Sequence, residues 1–276
     1  MYYRQYTNTV QYKMIANKYS VIEKISEGSF GTILKGKNER TGELVAIKIE
    51  SKTTIMTTLK TEAKIYQYLG KQEGFPQLKW FGTNEKYNYL VIDLFGHSLT
   101  HILQNGAINC MNAIEFGIQI INRIETLHNK SLLHRDIKPD NFLFGLGNET
   151  NKLYLIDFGF CKRYEYNGQH IQQKSISSII GSLNFVSLNI HNGLEPSRRD
   201  DVESCLYIIL YMFTGKLDWI KFDTSQEKMV KLKRELSNNQ DIPFFIRILI
   251  EYIRLLGFDE VPNYKYMVSI LTLNQL

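Results

Sequence analysis

Runs of β-branched and aromatic residues, separated by glycine and polar residues, occupy the first third of the chain and predict β-strands. These runs cover residues 19–25, 32–36, 44–49, 78–82 and 87–94. The polar stretch 38–42 lies between two of the runs and predicts a hairpin turn. The pattern therefore predicts a small β-rich unit.

One segment of this first part follows a helical period instead. In residues 59–69, Leu59, Glu62, Tyr66 and Leu69 fall on one helix face. Because three of these four residues are apolar, the face points toward a core. A glutamate on such a face predicts a buried carboxylate, which needs a partner.

Past Gly96 the pattern changes to helices, and we place one boundary there. Helical patterns cover residues 113–128, 201–214, 227–236 and 244–256, and short strands are predicted at 143–144 and 153–156. The segment 201–214 is apolar on nearly every side, which predicts a helix enclosed in the interior. The prediction is an α+β protein with a leader at residues 1–17, a β-rich lobe at about 18–95 and a larger, mostly helical lobe at about 96–276.

Composition sets limits on the function. The chain of 276 residues is 43% hydrophobic and 22% charged with a net charge of +5, which is ordinary for a soluble globular protein. The mild basic excess suits anionic partners such as nucleotide phosphates or acidic substrates, but a nucleic-acid surface is not expected. The longest strongly apolar run, residues 205–213, is shorter than the about 18 residues of a membrane span. The beginning of the chain lacks an apolar signal region, and three scattered cysteines fit a reducing compartment, with Cys205 expected in the core.

The stretch from His134 to Asn141 carries the most chemistry. Asp136 and Asn141 stand five positions apart with Lys138 between them. A carboxylate can accept the proton of an attacking hydroxyl, an amide oxygen can hold Mg²⁺, and a cation can balance charge on a transferring phosphoryl group. The alternative is a polar surface loop. The spacing is that of a protein-kinase catalytic loop.

Two further motifs fit the same chemistry. Asp157-Phe158-Gly159 follows a predicted strand, and its aspartate can ligate Mg²⁺. Lys48 ends the strand pattern Val-Ala-Ile-Lys, so it must find an anion, either nucleotide phosphates or Glu62; an edge lysine in water is the alternative.

The turn Ser26–Gly31 occupies the place of a phosphate-binding glycine-rich loop. Glycines at Gly28 and Gly31 allow backbone N–H groups to approach phosphate oxygens, but Ser26 stands where a first glycine is expected. A plain hairpin turn is the alternative.

Longer stretches make the resemblance specific. The segments 46–50, 132–143 and 197–204, and Ser187-Leu188-Asn189 in place of the more usual Ala-Pro-Glu, resemble the signatures of the casein kinase 1 family of eukaryotic protein kinases. The similarity covers residues 18–271. It implies a bilobal protein-kinase fold, a serine/threonine kinase activity with ATP and Mg²⁺, and protein substrates with acidic or phosphorylated residues near the acceptor. It also implies a monomer. We expect no need of nucleic acid or membrane, and a location in the cytoplasm and also in the nucleus.

The resemblance implies a role for each matching residue. Lys48 would bind phosphates and Glu62 would hold Lys48, while Asp136 would be the base and Lys138 would neutralise the transferring phosphoryl group. Asn141 and Asp157 would hold the metal, and Asp201 would brace the catalytic loop. The nucleotide would lie between the lobes and contact Ile25, Ser26, Glu27, Gly28, Ser29, Phe30, Gly31, Ile33, Ala46, Lys48, Ile92 as gatekeeper, Asp93, Phe95, Leu143, Ile156 and Asp157.

One departure bears on substrate choice. Asn184 stands where the family has an arginine that helps to bind a phosphate on the substrate, which puts phosphate-primed recognition in doubt. Lys228, Lys231 and Lys233 could supply charge, but we expect them on a solvated helix face. Arg135, Arg198 and Arg199 could bind anions or pair with nearby carboxylates.

Two other functions remain open. One is a kinase-like scaffold with little turnover, which the five residues Lys48, Glu62, Asp136, Asn141 and Asp157 argue against. The other is a related kinase of the vaccinia-related or tau-tubulin type.

Overall fold

The structure, a computed structural model, describes residues 13–28, 31–54, 57–104, 108–221 and 224–274. The contacts between these residues divide them into two compact units. The first unit comprises the described residues up to Gln72 together with Pro76–Phe95, and the second comprises Glu73–Phe75 and the residues from Gly96 onward. Strands dominate the first unit and helices the second, so the predicted α+β class is confirmed.

The first unit is built on a six-stranded sheet in which every neighbouring pair is antiparallel. Its strands are β1 (Met14–Ile15), β2 (Tyr19–Gly28), β3 (Gly31–Asn38), β4 (Leu44–Ser51), β5 (Leu78–Thr83) and β6 (Tyr87–Asp93). Their spatial order is β1-β2-β3-β4-β6-β5. The last residues of the predicted leader therefore belong to the sheet as β1, while residues 1–12 lie outside the described residues.

Alternation along β4 decides which face of the sheet is buried. Val45, Ile47 and Ile49 point into a core that also contains Tyr19 and Leu34. Since successive side chains of a strand point to opposite faces, the intervening residues of β4 lie on the other face. Lys48 is one of these residues.

A helix, α1 (Leu59–Leu69), accompanies the sheet. Leu59, Glu62, Tyr66 and Leu69 are all buried, as the helical spacing predicts. The buried carboxylate of Glu50 on β4 accepts the backbone N–H groups of Thr58 and Leu59 at 2.7 and 3.1 Å. Those groups have no partner inside the helix, so β4 fixes the start of α1.

The second unit contains seven described α-helices: α2 (Leu99–Gln104), α3 (Cys110–His128), α4 (Leu188–His191), α5 (Arg198–Thr214), α6 (Gln226–Glu235), α7 (Phe244–Leu255) and α8 (Tyr264–Leu273). Helix α5 is buried along almost its whole length and packs against α3 and α7. The predicted interior helix and the core position of Cys205 are thus confirmed. Helix α8, which packs on α3, was not predicted.

Short strands hold the loops of this unit. They are β7 (Leu132–Leu133), β8 (Phe142–Phe144), β9 (Leu153–Leu155), β10 (Lys162–Arg163), β11 (Glu165–Tyr166) and β12 (Gln169–His170), paired as β7 with β10, β8 with β9 and β11 with β12. The motif from His134 to Asn141 lies between β7 and β8 and ends in a 3₁₀ turn, Pro139–Asn141. Asp157 follows β9 closely. Among the described helices, none has the length and apolar character that a membrane span requires.

Candidate active site

Lys48 and Glu62 form an ion pair in the first unit. The Lys48 Nζ lies 2.8 Å from the Glu62 Oε2, and the side chains are 13% and 2% exposed. Strand β4 presents the lysine on the face away from the core, and α1 presents the glutamate from its buried face. The partner that the buried glutamate requires is therefore Lys48, and Glu62 is one of the two anions that the sequence offered to this lysine.

Cross-strand register gathers the predicted nucleotide residues of the first unit around Lys48. Ile33 lies opposite Lys48, and Ala46 lies opposite Ile92. Ser26 lies opposite Ile33. Because directly opposed residues of an antiparallel pair share a face, these side chains line one face of the sheet. The remaining predicted residues of this unit are placed as follows: Ile25, Glu27 and Gly28 on β2, Gly31 on β3, Asp93 on β6 and Phe95 just after it.

The two glycines of the β2–β3 turn have different surroundings. At Gly31, with φ of +107°, an added Cβ would stand 2.0 Å from the Ile49 carbonyl oxygen, so only glycine fits. At Gly28 an added Cβ would meet no atom within 4 Å. Open space beside a glycine backbone fits the approach of a phosphate group. Ser29 and Phe30, the other predicted residues of this loop, lie outside the described residues.

In the second unit Asp136 is 3% exposed and holds two donors. Its Oδ2 accepts from the Lys138 Nζ at 2.7 Å, and its Oδ1 accepts from the Ser182 hydroxyl at 2.8 Å. The same hydroxyl accepts from the Lys138 Nζ at 3.2 Å. The three side chains form a closed triangle, which fixes the direction of the carboxylate.

Asn141 and Asp157 have the oxygen donors that a hard cation such as Mg²⁺ prefers. The Asn141 side-chain nitrogen donates to the Asp136 carbonyl oxygen at 2.8 Å, so its amide oxygen is the atom left for a metal. The Asn141 carbonyl accepts the N–H of Ile156 at 2.9 Å, which places the residue before Asp157 beside Asn141. Asp157 itself adopts a φ of +66°, a conformation rare for residues other than glycine. The residues present fit a divalent cation. The other predicted nucleotide residues of this unit are Leu143 on β8 and Ile156 after β9.

The carboxylate of Asp201, on α5, binds the backbone of the catalytic loop. It accepts the backbone N–H groups of His134 at 2.7 Å and Arg135 at 2.9 Å. The bracing role predicted for Asp201 is confirmed by these bonds. Arg135 has a φ of +67°, so Asp201 stabilises a strained backbone.

A buried histidine completes this support. His128 Nε2 lies 3.1 Å from Asp201 Oδ2, and its Nδ1 lies 2.6 Å from the Tyr264 hydroxyl. Burial lowers the pKa of His128, so the ring is neutral. Since a carboxylate only accepts, Nε2 carries the proton and Nδ1 accepts from Tyr264. Burial alone would raise the pKa of Asp201, but the bonds from His128 and the Arg135 amide outweigh it and leave that pKa below its ordinary value.

His134 packs in the interior at the start of the catalytic loop and takes part in two hydrogen bonds. It is fully buried, its Nε2 lies 3.0 Å from the Ile156 carbonyl oxygen, and its Nδ1 accepts the Asp136 N–H at 3.3 Å. Its ring contacts the buried ring of Phe158 with centroids 5.3 Å apart. Phe158 also stacks on Phe75.

The Ser187-Leu188-Asn189 element has a clear physical basis. The Ser187 hydroxyl and the Asn189 side chain donate to the Asp200 Oδ1 at 2.6 and 3.0 Å. The Asp200 Oδ2 accepts the N–H of Ser197 at 2.8 Å. Despite these bonds, burial raises the pKa of Asp200. The serine and asparagine thus tie the start of α4 to the start of α5.

Lys233 contradicts one prediction. It is fully buried, not solvated, and its Nζ donates to the carbonyl oxygens of Leu183 at 3.0 Å and Val186 at 2.8 Å. Lys228 and Lys231 on the same helix are exposed, as predicted. The sequence suggested a solvated face because α6 is rich in lysine; the buried carbonyls that draw one lysine inward belong to a segment about 50 residues away.

The arginines left open by the sequence mainly use backbone oxygens. Arg198 donates to the Asp259 carbonyl and Arg199 to the Leu256 carbonyl, the latter at 2.6 Å. Arg135 donates to the Phe160 carbonyl at 2.7 Å. One of the arginine–carboxylate pairs considered from the sequence is present: the Arg199 Nε lies 4.0 Å from the Asp200 Oδ2.

A cavity of about 650 Å³ opens beside the catalytic loop. It is lined by Lys138, Asp140, Asn141, Ser182, Leu183, Asn184, Phe185 and Met229. The cavity is large enough for a peptide side chain and combines a cation and a carboxylate with apolar walls. Asn184, the residue that departs from the family, is one of the lining residues.

Ser182 was missed as a site residue from the sequence. It contacts both Asp136 and Lys138, yet it stands 46 positions from Asp136. No spacing signal in a single sequence joins residues so far apart. The preceding residue, Gly181, passes so close to the catalytic loop that a Cβ added there would stand only 2.4 Å from the Arg135 carbonyl oxygen.

A comparison with known protein families shows the family of the chain. The family model for the protein kinase domain matches residues 19–256, which is most of the chain. Lys48, Glu62, Asp136, Asn141 and Asp157 all lie within the matched range. The β-rich first unit and helical second unit are those of the bilobal kinase fold. The chain therefore belongs to the protein kinase family, the phosphotransferases that use ATP to phosphorylate protein substrates.

Proposed function

We propose that the chain is a serine/threonine protein kinase of the casein kinase 1 type, which uses ATP with Mg²⁺. The observation that carries this proposal is the fixed carboxylate of Asp136, bonded to Lys138 at 2.7 Å and to Ser182 at 2.8 Å. A base in this place must be held in one direction before the acceptor arrives, because the gain from positioning is lost if the group must be ordered during the reaction.

Each residue of the site then has one task. Asp136 accepts the proton of the acceptor hydroxyl as its oxygen attacks the γ-phosphorus of ATP. Lys138 neutralises charge on the transferring group, and Lys48, held by Glu62, binds phosphates of the nucleotide. The bond between the γ-phosphorus and the bridging oxygen breaks, and ADP leaves.

Asn141 and Asp157 would hold the divalent cation through their oxygen atoms. When bound, Mg²⁺ supplies positive charge that offsets the charge on the phosphate oxygens. The bond from the Asn141 side-chain nitrogen to the Asp136 carbonyl oxygen fixes the direction of the Asn141 amide.

The casein kinase 1 assignment rests on the segments resembling that family. Its support in the structure is the use of Ser187 and Asn189, which both donate to the buried Asp200. The two residues have a structural reason to occur together before α5. A vaccinia-related or tau-tubulin kinase is the alternative outcome of the substrate test below.

We further propose a preference for acidic substrates with weak dependence on a priming phosphate. Lys138 lines the cavity that Asn184 shares, and Lys228 is the exposed neighbour of Met229, another lining residue. Lys233 is buried and bonded to two carbonyl oxygens and to His191, so it does not serve a substrate phosphate. Lys138 is thus the one cation among the described residues that line the cavity with Asn184, and it is already bonded to Asp136.

The test is phosphate transfer from ATP, with Mg²⁺, to peptides of one acidic sequence that carry Ser, Thr or Tyr as the acceptor. The same peptides with and without an upstream phosphoserine are compared in wild type and Asn184→Arg. We expect transfer to Ser and Thr, and a higher primed-to-unprimed ratio in the variant. Transfer to Tyr alone, or an equal rate on acidic and basic peptides, would contradict the assignment.

A further inference from the structure

Lys233 is the one fully buried lysine among the described residues, and the roles above do not use it. Its Nζ has three acceptors: the carbonyl oxygens of Leu183 at 3.0 Å and Val186 at 2.8 Å, and the His191 Nε2 at 3.1 Å. An ammonium group has three N–H donors. All three are matched, which is what makes a buried lysine tolerable.

The neutral ring of His191 agrees with this bonding. Burial lowers the pKa of His191 to about 4, so its ring is neutral and Nε2 can accept from the lysine. The rings of Tyr207 and Trp219 lie 4.9 and 5.6 Å from the Lys233 Nζ and add cation–π attraction. These contacts favour the charged form of Lys233, although burial outweighs them and lowers its pKa to about 7.

Trp219 extends the same set of bonds. Its indole N–H donates to the Asn184 carbonyl oxygen at 2.8 Å, and its side chain is 2% exposed. Lys233 and Trp219 together bind the carbonyl oxygens of Leu183, Asn184 and Val186. We call these two side chains and the three carbonyls the carbonyl clasp.

The clasp holds a turn that begins at Ser182. The Ser182 carbonyl accepts the N–H groups of Phe185 at 2.8 Å and Val186 at 3.0 Å. The other end of this residue, its hydroxyl, donates to Asp136. A shift of the turn would therefore move the hydroxyl that orients the carboxylate, as well as the Leu183 to Phe185 wall of the cavity.

The helix that carries Lys233 is itself anchored. The Arg254 Nη2 donates to the Lys233 carbonyl oxygen at 2.7 Å, and the Arg254 Nε pairs with the buried Glu203 at 2.9 Å. Helix α6 thus connects the interior around α5 and α7 to the turn beside the catalytic loop.

We propose that Lys233 and Trp219 are positioning residues of the substrate site: by binding three carbonyl oxygens they hold the 182–186 turn where Ser182 meets Asp136 and Lys138. Their effect on catalysis rests on the proposed kinase function. They act through the turn and touch neither nucleotide nor the reacting atoms.

The test compares Lys233→Met and Trp219→Phe with the control Arg234→Met, which removes an exposed cation from the neighbouring position of the same helix. Trp219→Phe removes the indole N–H and keeps an aromatic ring. Amide hydrogen exchange of residues 182–187 is measured on each full chain without substrate, together with KM for ATP and kcat/KM for a peptide.

We expect Lys233→Met to speed exchange of the turn amides and to lower the peptide kcat/KM by about tenfold or more, while the KM for ATP stays within about twofold. Trp219→Phe should change both in the same direction by a smaller factor, and Arg234→Met should change neither. A general loss of structure would raise the KM for ATP as well, because it would disturb nucleotide binding and peptide phosphorylation alike.

Wild-type exchange at 182–187 together with an unchanged peptide kcat/KM in Lys233→Met would overturn the proposal, and so would an equal rise in both KM values. If Lys233→Met does not fold, the exchange rates of residues 182–187 and the peptide kcat/KM of Trp219→Phe test the proposal instead. A wild-type chain that transfers no phosphate would contradict the proposed kinase function. Because hydrogen exchange needs no substrate, the exchange rates of residues 182–187 would still test whether the carbonyl clasp holds the turn.

Discussion

The Ser182 hydroxyl donates a hydrogen bond to the Asp136 carboxylate over 2.8 Å, although the two residues stand 46 positions apart in the chain. Lys138 lies within bonding distance of both, at 2.7 Å from Asp136 and 3.2 Å from Ser182. The segment that precedes α4 therefore takes part in orienting the proposed base. Substitutions in this triangle and in the groups that support it should change phosphate transfer.

Ser182→Ala should lower kcat for peptide phosphorylation by about tenfold or more, since a hydrogen bond to a charged group contributes roughly 1.5–3 kcal/mol. The KM for ATP should not change, because Ser182 is not among the nucleotide residues. Steady-state kinetics with varied ATP and peptide measure both. Ser182→Thr, which keeps the hydroxyl, is the matched control and should retain most activity; equal activity in the alanine variant would contradict the role of this bond.

Lys48→Met should abolish transfer and lower the melting temperature by about 5 °C or more, because it removes the ion-pair partner of the buried Glu62. The double variant Lys48→Met, Glu62→Met should recover part of the melting temperature without recovering activity. Thermal unfolding and transfer assays on the same samples separate the two effects. Activity in either variant would show that the pair serves stability alone.

Asp201→Asn should slow transfer by about tenfold or more and loosen the loop at His134 and Arg135. The asparagine NH₂ group is a donor and cannot accept the N–H that one carboxylate oxygen now accepts. Hydrogen exchange of residues 133–137 is the direct measurement. Asp218→Asn, at a partly exposed aspartate paired with Lys216, is the control, and equal exchange in the two variants would argue against bracing.

Stability should rise with pH as the buried Lys233 loses its proton. Burial lowers its pKa from 10.5 to about 7, so between those values the unfolded chain binds more protons than the folded one. The free energy of unfolding must then increase with pH across that interval. The ionisable groups facing Lys233 are His191 on α4, Glu203 and Tyr207 on α5 and Arg254 on α7.

The measurement is urea unfolding of wild type and Lys233→Met at several values from roughly pH 7 to pH 9. The difference between the two free energies of unfolding should grow in favour of wild type as pH rises. The pKa of His191 is lowered to about 4 and that of Tyr207 is raised well above its ordinary value, so neither titrates in this interval. A difference that stays flat would mean that Lys233 keeps an ordinary pKa.

Local pattern was enough to predict the elements that hold the site. The spacing of Leu59, Glu62, Tyr66 and Leu69 indicated α1 and its buried glutamate, because the helical period alone places them on one face. The order of the motifs around Asp136 and Asp157 was enough to indicate a kinase. Such signals lie within short windows of the chain.

Contacts between distant segments could not be predicted in the same way. Lys233 looks like its exposed neighbour Lys231 in the sequence, and only the carbonyls of Leu183 and Val186 distinguish them. His128 and Tyr264, which support Asp201, lie 136 positions apart, and Tyr264 begins a helix that was not predicted. Their roles come from packing, which the periodicity of a single segment does not reveal.

The most direct measurement is phosphate transfer from ATP, with Mg²⁺, to casein by wild type, Asp136→Asn and the control Asp241→Asn, an exposed aspartate. Nucleotide binding is followed on the same samples. We expect transfer by wild type and by Asp241→Asn, and its loss in Asp136→Asn with nucleotide still bound. Undiminished transfer by Asp136→Asn, or nucleotide binding without transfer in wild type, would contradict the role of Asp136 as the base of a working kinase.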